Sequence, residues 1–153
     1  MNYLLICSDT YRLSGRTEAA VKMAERRLQI GMWPLYPRTF HSKQVSEKDK
    51  FYIYIAGHKE KVYHIVAEFT ASAVRGYRSN EWFESDDFFV DIPSRVIDIE
   101  SFRVFEKPIN LKSHVELLEL TNFKSKNWGA CMQGGCKRLS KKDSETLGLN
   151  KAK

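Results

Sequence analysis

Between Gly31 and Gly57 the chain reads GMWPLYPRTFHSKQVSEKDKFYIYIAG, and the residue types in its first half are those that hold a nucleotide. Trp33 and Tyr36 supply flat rings on which a base can stack, and Arg38, His41 and Lys43 follow at once with positive groups for a phosphate. Rings and cations side by side are what a reader of single strands, or of a base flipped out of a duplex, requires. Pro34 and Pro37 fix their own φ and lack a main-chain donor, so residues 33–38 are expected to form a rigid extended loop and neither helix nor central strand. Such a loop holds its rings ready with little ordering cost on binding. The alternative is that both rings cap the hydrophobic core, as most tryptophans do. The cations that follow at once favour binding.

Three further positions could contribute. Ser8 and Asp9 end the apolar run Tyr3 to Cys7, where small polar residues serve either as turn formers and caps or as hydrogen-bond partners lining a pocket. Trp128 stands beside Gly129, an aromatic next to a flexible joint. Cys131 and Cys136 have no further cysteine or histidine nearby to complete a zinc site and read as ordinary thiols. No glycine-rich phosphate loop, nucleophile elbow or metal-binding helix motif occurs, so no cofactor, metal or catalytic residue is expected.

These residues must be positioned by an apolar first strand, Tyr3 to Cys7, buried on both faces, and by a helix from Ser14 to Gln29. Ala20, Val21, Ala24 and Leu28 are the expected inner stripe of that helix, with Ser14 or Thr17 as its cap and Gly31 as its end. Arg26 and Arg27 read as a solvated face, a phosphate contact being the alternative. Phe51 to Ala56 alternates with period two, and Val62 to Thr70 is its hairpin partner across a turn at Gly57 to Lys61. A long rim loop over 71–87 carries Trp82 and Phe83. A strand interrupted at Pro93 covers Phe88 to Ile99, and a short one Phe102 to Phe105. Lys107-Pro108-Ile109 then leads into a helical segment over about Ser113 to Leu120. Ser140-Lys141-Lys142-Asp143 fits a capping box opening a final short helix.

With 153 residues, 42% of them hydrophobic, the chain is long enough for one globular domain, 1–153, that buries roughly two thirds of its unfolded surface. Its start, MNYLLICSD, lacks the basic region of a secretory leader, and three free cysteines fit a reducing, cytoplasmic setting. No apolar run approaches the roughly 20 residues of a membrane span. The net charge of +6 is unevenly placed, with basic surpluses in residues 1–50 and 121–153 around an acidic centre. If the two ends meet, they form a face attractive to a polyanion; taken alone, the charge fits a solubilising surface equally well.

The order of these features resembles the EVE family of the PUA-like superfamily, related to the YTH and ASCH domains. The resemblance rests on the opening strand ending in small polar residues, the helix, the Trp-Pro loop, the segment DKFYIYIAG, the strand VYHIVAEFT, the KPI segment and a closing glycine-rich stretch with L-S-x-x-D. It covers nearly the whole chain. This sequence departs in having Lys48-Asp49 where members often have Gly-Asp, and in its CMQGGC stretch. The resemblance implies an α+β fold, a PUA-like partly open mixed β-barrel with flanking helices, that binds RNA or DNA without catalysis. Members admit a base, often a modified one, into an aromatic pocket. Carried over, Trp33, Pro34 and Tyr36 would form the pocket with Trp128 as a wall, Ser8 and Asp9 would contact the base edge, and Arg38, His41 and Lys43 would meet phosphates. The competing readings are an ASCH-like hydrolase of a modified nucleoside, which needs a facing lysine and carboxylate such as Lys43 or Lys50 with Asp9 or Glu68, and a protein-interaction module.

Overall fold

The fold is described from a computed structural model, over residues 1–11, 17–57, 62–78, 81 and 92–153. Strand β1 (Asn2–Ser8) is followed by two short strands, β2 (Thr10–Tyr11) and β3 (Thr17–Glu18), then helix α1 (Ala20–Ile30) and strand β4 (Met32–Leu35). Strands β5 (Lys50–Gly57), β6 (Val62–Thr70), β7 (Ala73–Gly76), β8 (Arg95–Asp98) and β9 (Phe102–Asn110) come next. The chain closes with short 3-10 turns, strand β10 (Cys136–Leu139) and helix α2 (Lys141–Thr146). The main sheet has the order β10-β1-β5-β6-β9, and β4-β8-β7 form a second sheet. Strands β1 and β5 run parallel, with α1 in the crossover, while the other main-sheet pairs are antiparallel. The class is therefore α+β and rich in strands, and among the described residues the sheets do not close into a barrel.

Both faces of the main sheet are covered, which is why YLLIC shows no alternation. On one side Tyr3, Leu5, Phe51, Ile53 and Ile55 pack under α1 and β4, and Phe51 stacks between Tyr3 and Phe69 with ring centroids 5.5 and 5.2 Å apart. On the other side Leu4, Tyr52, Tyr54 and Ile65 meet the C-terminal turns through Leu118, Met132 and Leu147. Each such side chain contributes on the order of 1.5–3 kcal/mol by leaving water.

Several expectations need correction. Met32–Leu35 is a strand and not a loop, with Pro34 opposite Val96. Strand β4 lies at the edge of its sheet, where a residue without an N–H is tolerated. Helix α1 begins at Ala20, whose N–H is accepted by Asp9 Oδ1 at 2.9 Å, and it ends as expected at Gly31 with φ +83°. Of the two expected caps, Ser14 lies outside the described residues and Thr17 stands in β3, so neither is seen to cap the helix, whose N-cap position is Ala19. The expected loop at 71–87 contains strand β7, whose Arg75 is held by both carboxylate oxygens of Asp98 at 2.7 and 3.0 Å. The strand placed at Phe102 to Phe105 runs on to Asn110, with Pro108 again on a sheet edge. The helix placed at 113–120 is instead a pair of 3-10 turns, Lys112–Leu117 and Glu119–Thr121. The capping box stands: Ser140 Oγ accepts from Asp143 N at 3.1 Å. The turn at 58–61, the strand start at 88–91, and Trp82 and Phe83 lie outside the described residues. Among the described residues no helix is long and apolar enough to cross a membrane.

Candidate functional site

Strand β1 is longer than its antiparallel neighbour, and the difference opens a cavity. Pairing with β10 covers Asn2 to Leu5, ending at Cys136. Beyond it Gly134 and Gly135, with φ of +90° and +76°, turn the chain away after Gly135 O has accepted Ile6 N at 2.9 Å. Only glycine takes these angles without strain. The end of β1, Ile6 to Ser8, thereby faces a cavity of about 640 Å³ rather than a strand. Its volume falls within the range of about 300–1,000 Å³ common for small-molecule sites.

Two walls of different origin enclose it. From the α1 side come Trp33, Pro34 and Tyr36 with Arg27, whose guanidinium carbon lies 4.8 Å from the Trp33 ring centroid. From the C-terminal side come Tyr63 and Trp128, edge to face at 5.4 Å and 75°, with Lys112 Nζ 6.0 Å from the Tyr63 centroid. Tyr54 lies between the walls, and burial, reinforced by Tyr63, pushes its hydroxyl pKa well above the usual tyrosine range. It therefore stays a neutral hydroxyl at any physiological pH. Among the described residues, two cations and no carboxylate line the cavity. Such a lining attracts an electron-rich or anionic ligand and stacks a planar one.

Of the residues singled out from the sequence, Ser8, Trp33, Pro34, Tyr36 and Trp128 come together at this cavity. Trp33 is only 2% exposed, so it serves the core and presents a limited part of its ring. Asp9 is not in the lining; its carboxylate accepts the first N–H of α1. Arg38 and Lys43 are exposed, and His41, half-buried with its ring 5.8 Å from that of Tyr3, also lies outside the lining. Arg27, expected with Arg26 on a solvated face, is instead buried and lines the cavity, and sequence reasoning missed Lys112, Tyr54 and Tyr63. The signal for Arg27 was its place among Ala20, Met23, Ala24 and Leu28, the helix stripe that is buried. Lys50 and Glu68 do pair, at 3.4 Å, but away from the cavity. Among the described residues no three His, Cys, Asp or Glu side chains are grouped to hold a metal ion.

The class defined so far is a small strand-rich α+β protein with an aromatic, cationic cavity at a broken sheet edge. No family model and no curated protein matches the sequence. Two crystal structures of bacterial proteins share the fold along nearly its whole length. One, from Pseudomonas putida, is 12% identical, covers 97% of this chain and 98% of its own, and superposes with a TM-score of 0.54. The other, from Pseudomonas syringae, is 13% identical over 97% of this chain and 99% of its own, with a TM-score of 0.55.

Proposed function

We propose that the protein is a non-enzymatic nucleic-acid-binding module of the EVE type within the PUA-like superfamily, cytoplasmic, which takes a flipped base, plain or modified, into the cavity beside Trp33 and Trp128. The observation that carries this reading is the lining itself: aromatic rings on two walls, Arg27 and Lys112 as cations, and no carboxylate among the described residues. Extruding a base costs a few kcal/mol, and stacking returns about 1–3 kcal/mol for each ring engaged. The two walls together can therefore offset extrusion. Lys48 adds support, since its φ of +71° is a backbone angle suited to the glycine that family members often carry there.

A hydrolase would need a lysine facing a carboxylate inside the cavity, and the Lys50–Glu68 pair lies outside it. The test is a fluorescence-anisotropy screen of RNA and DNA oligonucleotides bearing different modified bases. Trp128→Ala is expected to lower affinity at least tenfold and to erase any preference among bases. Full affinity and unchanged preference in that variant, or turnover of a nucleoside by the wild type, would sink the proposal.

A further inference from the structure

Just outside the cavity an aromatic ring is held open to solvent. Phe40 is 51% exposed, yet its position is fixed. Its N–H donates to Gly134 O at 2.9 Å, and Thr39 Oγ1 accepts from Tyr36 N at 3.0 Å within the same turn. Arg95 Nη1, reaching over from β8, donates to Ser42 O at 2.6 Å and Val45 O at 3.1 Å. The ring lies so close to Gly134 that a Cβ there would stand 2.4 Å from one of its carbons. Thr39, next to Phe40 in sequence, and Gly134, against its ring in space, both line the cavity.

The surroundings are cationic. Lys137 Nζ lies 5.3 Å from the Phe40 ring centroid. Residues 36–44 and 133–137, which meet at the bond between Phe40 N–H and Gly134 O, include Arg38, Lys43 and Lys137 and no Asp or Glu. An apolar protein partner would call for a continuous apolar patch, whereas this ring is set among positive charges. A single aromatic amid cations matches one base and its phosphates.

We propose that Phe40 is a second stacking platform, outside the cavity, for the base next to the one the cavity takes. The ligand is then a single-stranded stretch of at least two nucleotides and not a free nucleoside. This rests on the reading of the cavity as a base pocket. On binding, the neighbouring base lies on the exposed part of Phe40, and Lys137 and Arg38 turn to the phosphates on either side of it.

The probes are fluorescein-labelled single-stranded RNA and DNA of about a dozen nucleotides, followed by anisotropy, and nucleoside 5′-monophosphates, followed by quenching of indole emission. Phe40→Ala is expected to weaken the oligonucleotide about 5- to 150-fold and to leave the monophosphates unchanged. Phe40→Trp, read by anisotropy, is expected to restore the oligonucleotide. If Phe40→Ala binds the oligonucleotide like the wild type while Trp128→Ala weakens both probes, the cavity stands and the platform is refuted. If Phe40→Ala weakens both probes equally, Phe40 only shapes the cavity, and the platform is again refuted. If Trp128→Ala alters neither probe, the cavity reading falls and takes the platform with it.

Discussion

A buried guanidinium is costly unless something takes the place of its water, and Arg27, 8% exposed on the inner stripe of α1, has the face of Trp33 4.8 Å away. Lysine at this position keeps the charge but loses the flat, weakly hydrated group that stacks. Arg27→Lys is therefore expected to fold and to bind oligonucleotides roughly tenfold more weakly, checked by anisotropy beside a melting curve. Another residue-scale consequence concerns Cys136, whose burial pushes its thiol from an ordinary 9.0 up to about 12. The folded state keeps this proton while the unfolded state loses it, so stability is fully present below about pH 9 and falls as pH rises toward 12. Urea unfolding between these limits is expected to weaken by up to about 1.4 kcal/mol per pH unit from this group, and Cys136→Ala is expected to flatten the slope. Lys48, exposed and left-handed at φ +71°, carries strain that glycine would relieve. Lys48→Gly is expected to gain about 0.5–1 kcal/mol net of glycine's greater chain entropy, a rise of about 2 °C in melting temperature.

The C-terminal elements depend on one carboxylate. Asp143 is 1% exposed in α2, and its two oxygens accept Glu119 N and Leu120 N at 2.8 Å each. Its own N–H donates to Ser140 Oγ, so a single residue ties the helix cap to the 3-10 turn at Glu119–Thr121. That turn precedes the segment carrying Trp128 to the cavity. Asp143→Ala leaves two main-chain donors without their acceptor and is expected to cost about 2–4 kcal/mol in urea unfolding. A loss below about 0.5 kcal/mol would show that water replaces the carboxylate. The capping box was legible because its residues lie within one turn of chain. The bonds to Glu119 and Leu120 were not, because their partners are more than twenty positions away in sequence.

At the scale of the whole molecule, the two basic ends of the chain do meet. Asn2 pairs with Leu139 across β1 and β10, and Phe40 N–H reaches Gly134 O at the cavity mouth. Binding to a single strand should therefore weaken with salt, each phosphate contact contributing a slope of about −0.7 in log affinity against log salt. Lys112→Ala is expected to reduce that slope by about 0.7, and an unchanged slope would place Lys112 outside the contact.

What the chain determined by itself is local: the strand period in β5, the glycine that ends α1, the serine cap of α2, and the rings of Trp33 and Tyr36, while the cations that follow them, Arg38, His41 and Lys43, lie outside the cavity lining. Each follows from neighbours within a few positions, where backbone sterics and short hydrogen bonds act. Tertiary structure decided which side chains share the cavity, because that depends on where β10 stops pairing with β1. It drew Tyr63, Lys112 and Arg27 into the lining, left Val21 41% exposed where the inner stripe was expected, and took Asp9 for the start of α1. Burial is a property of the packed whole, and packing chose one face of α1 over another that the pattern of residues left nearly equal.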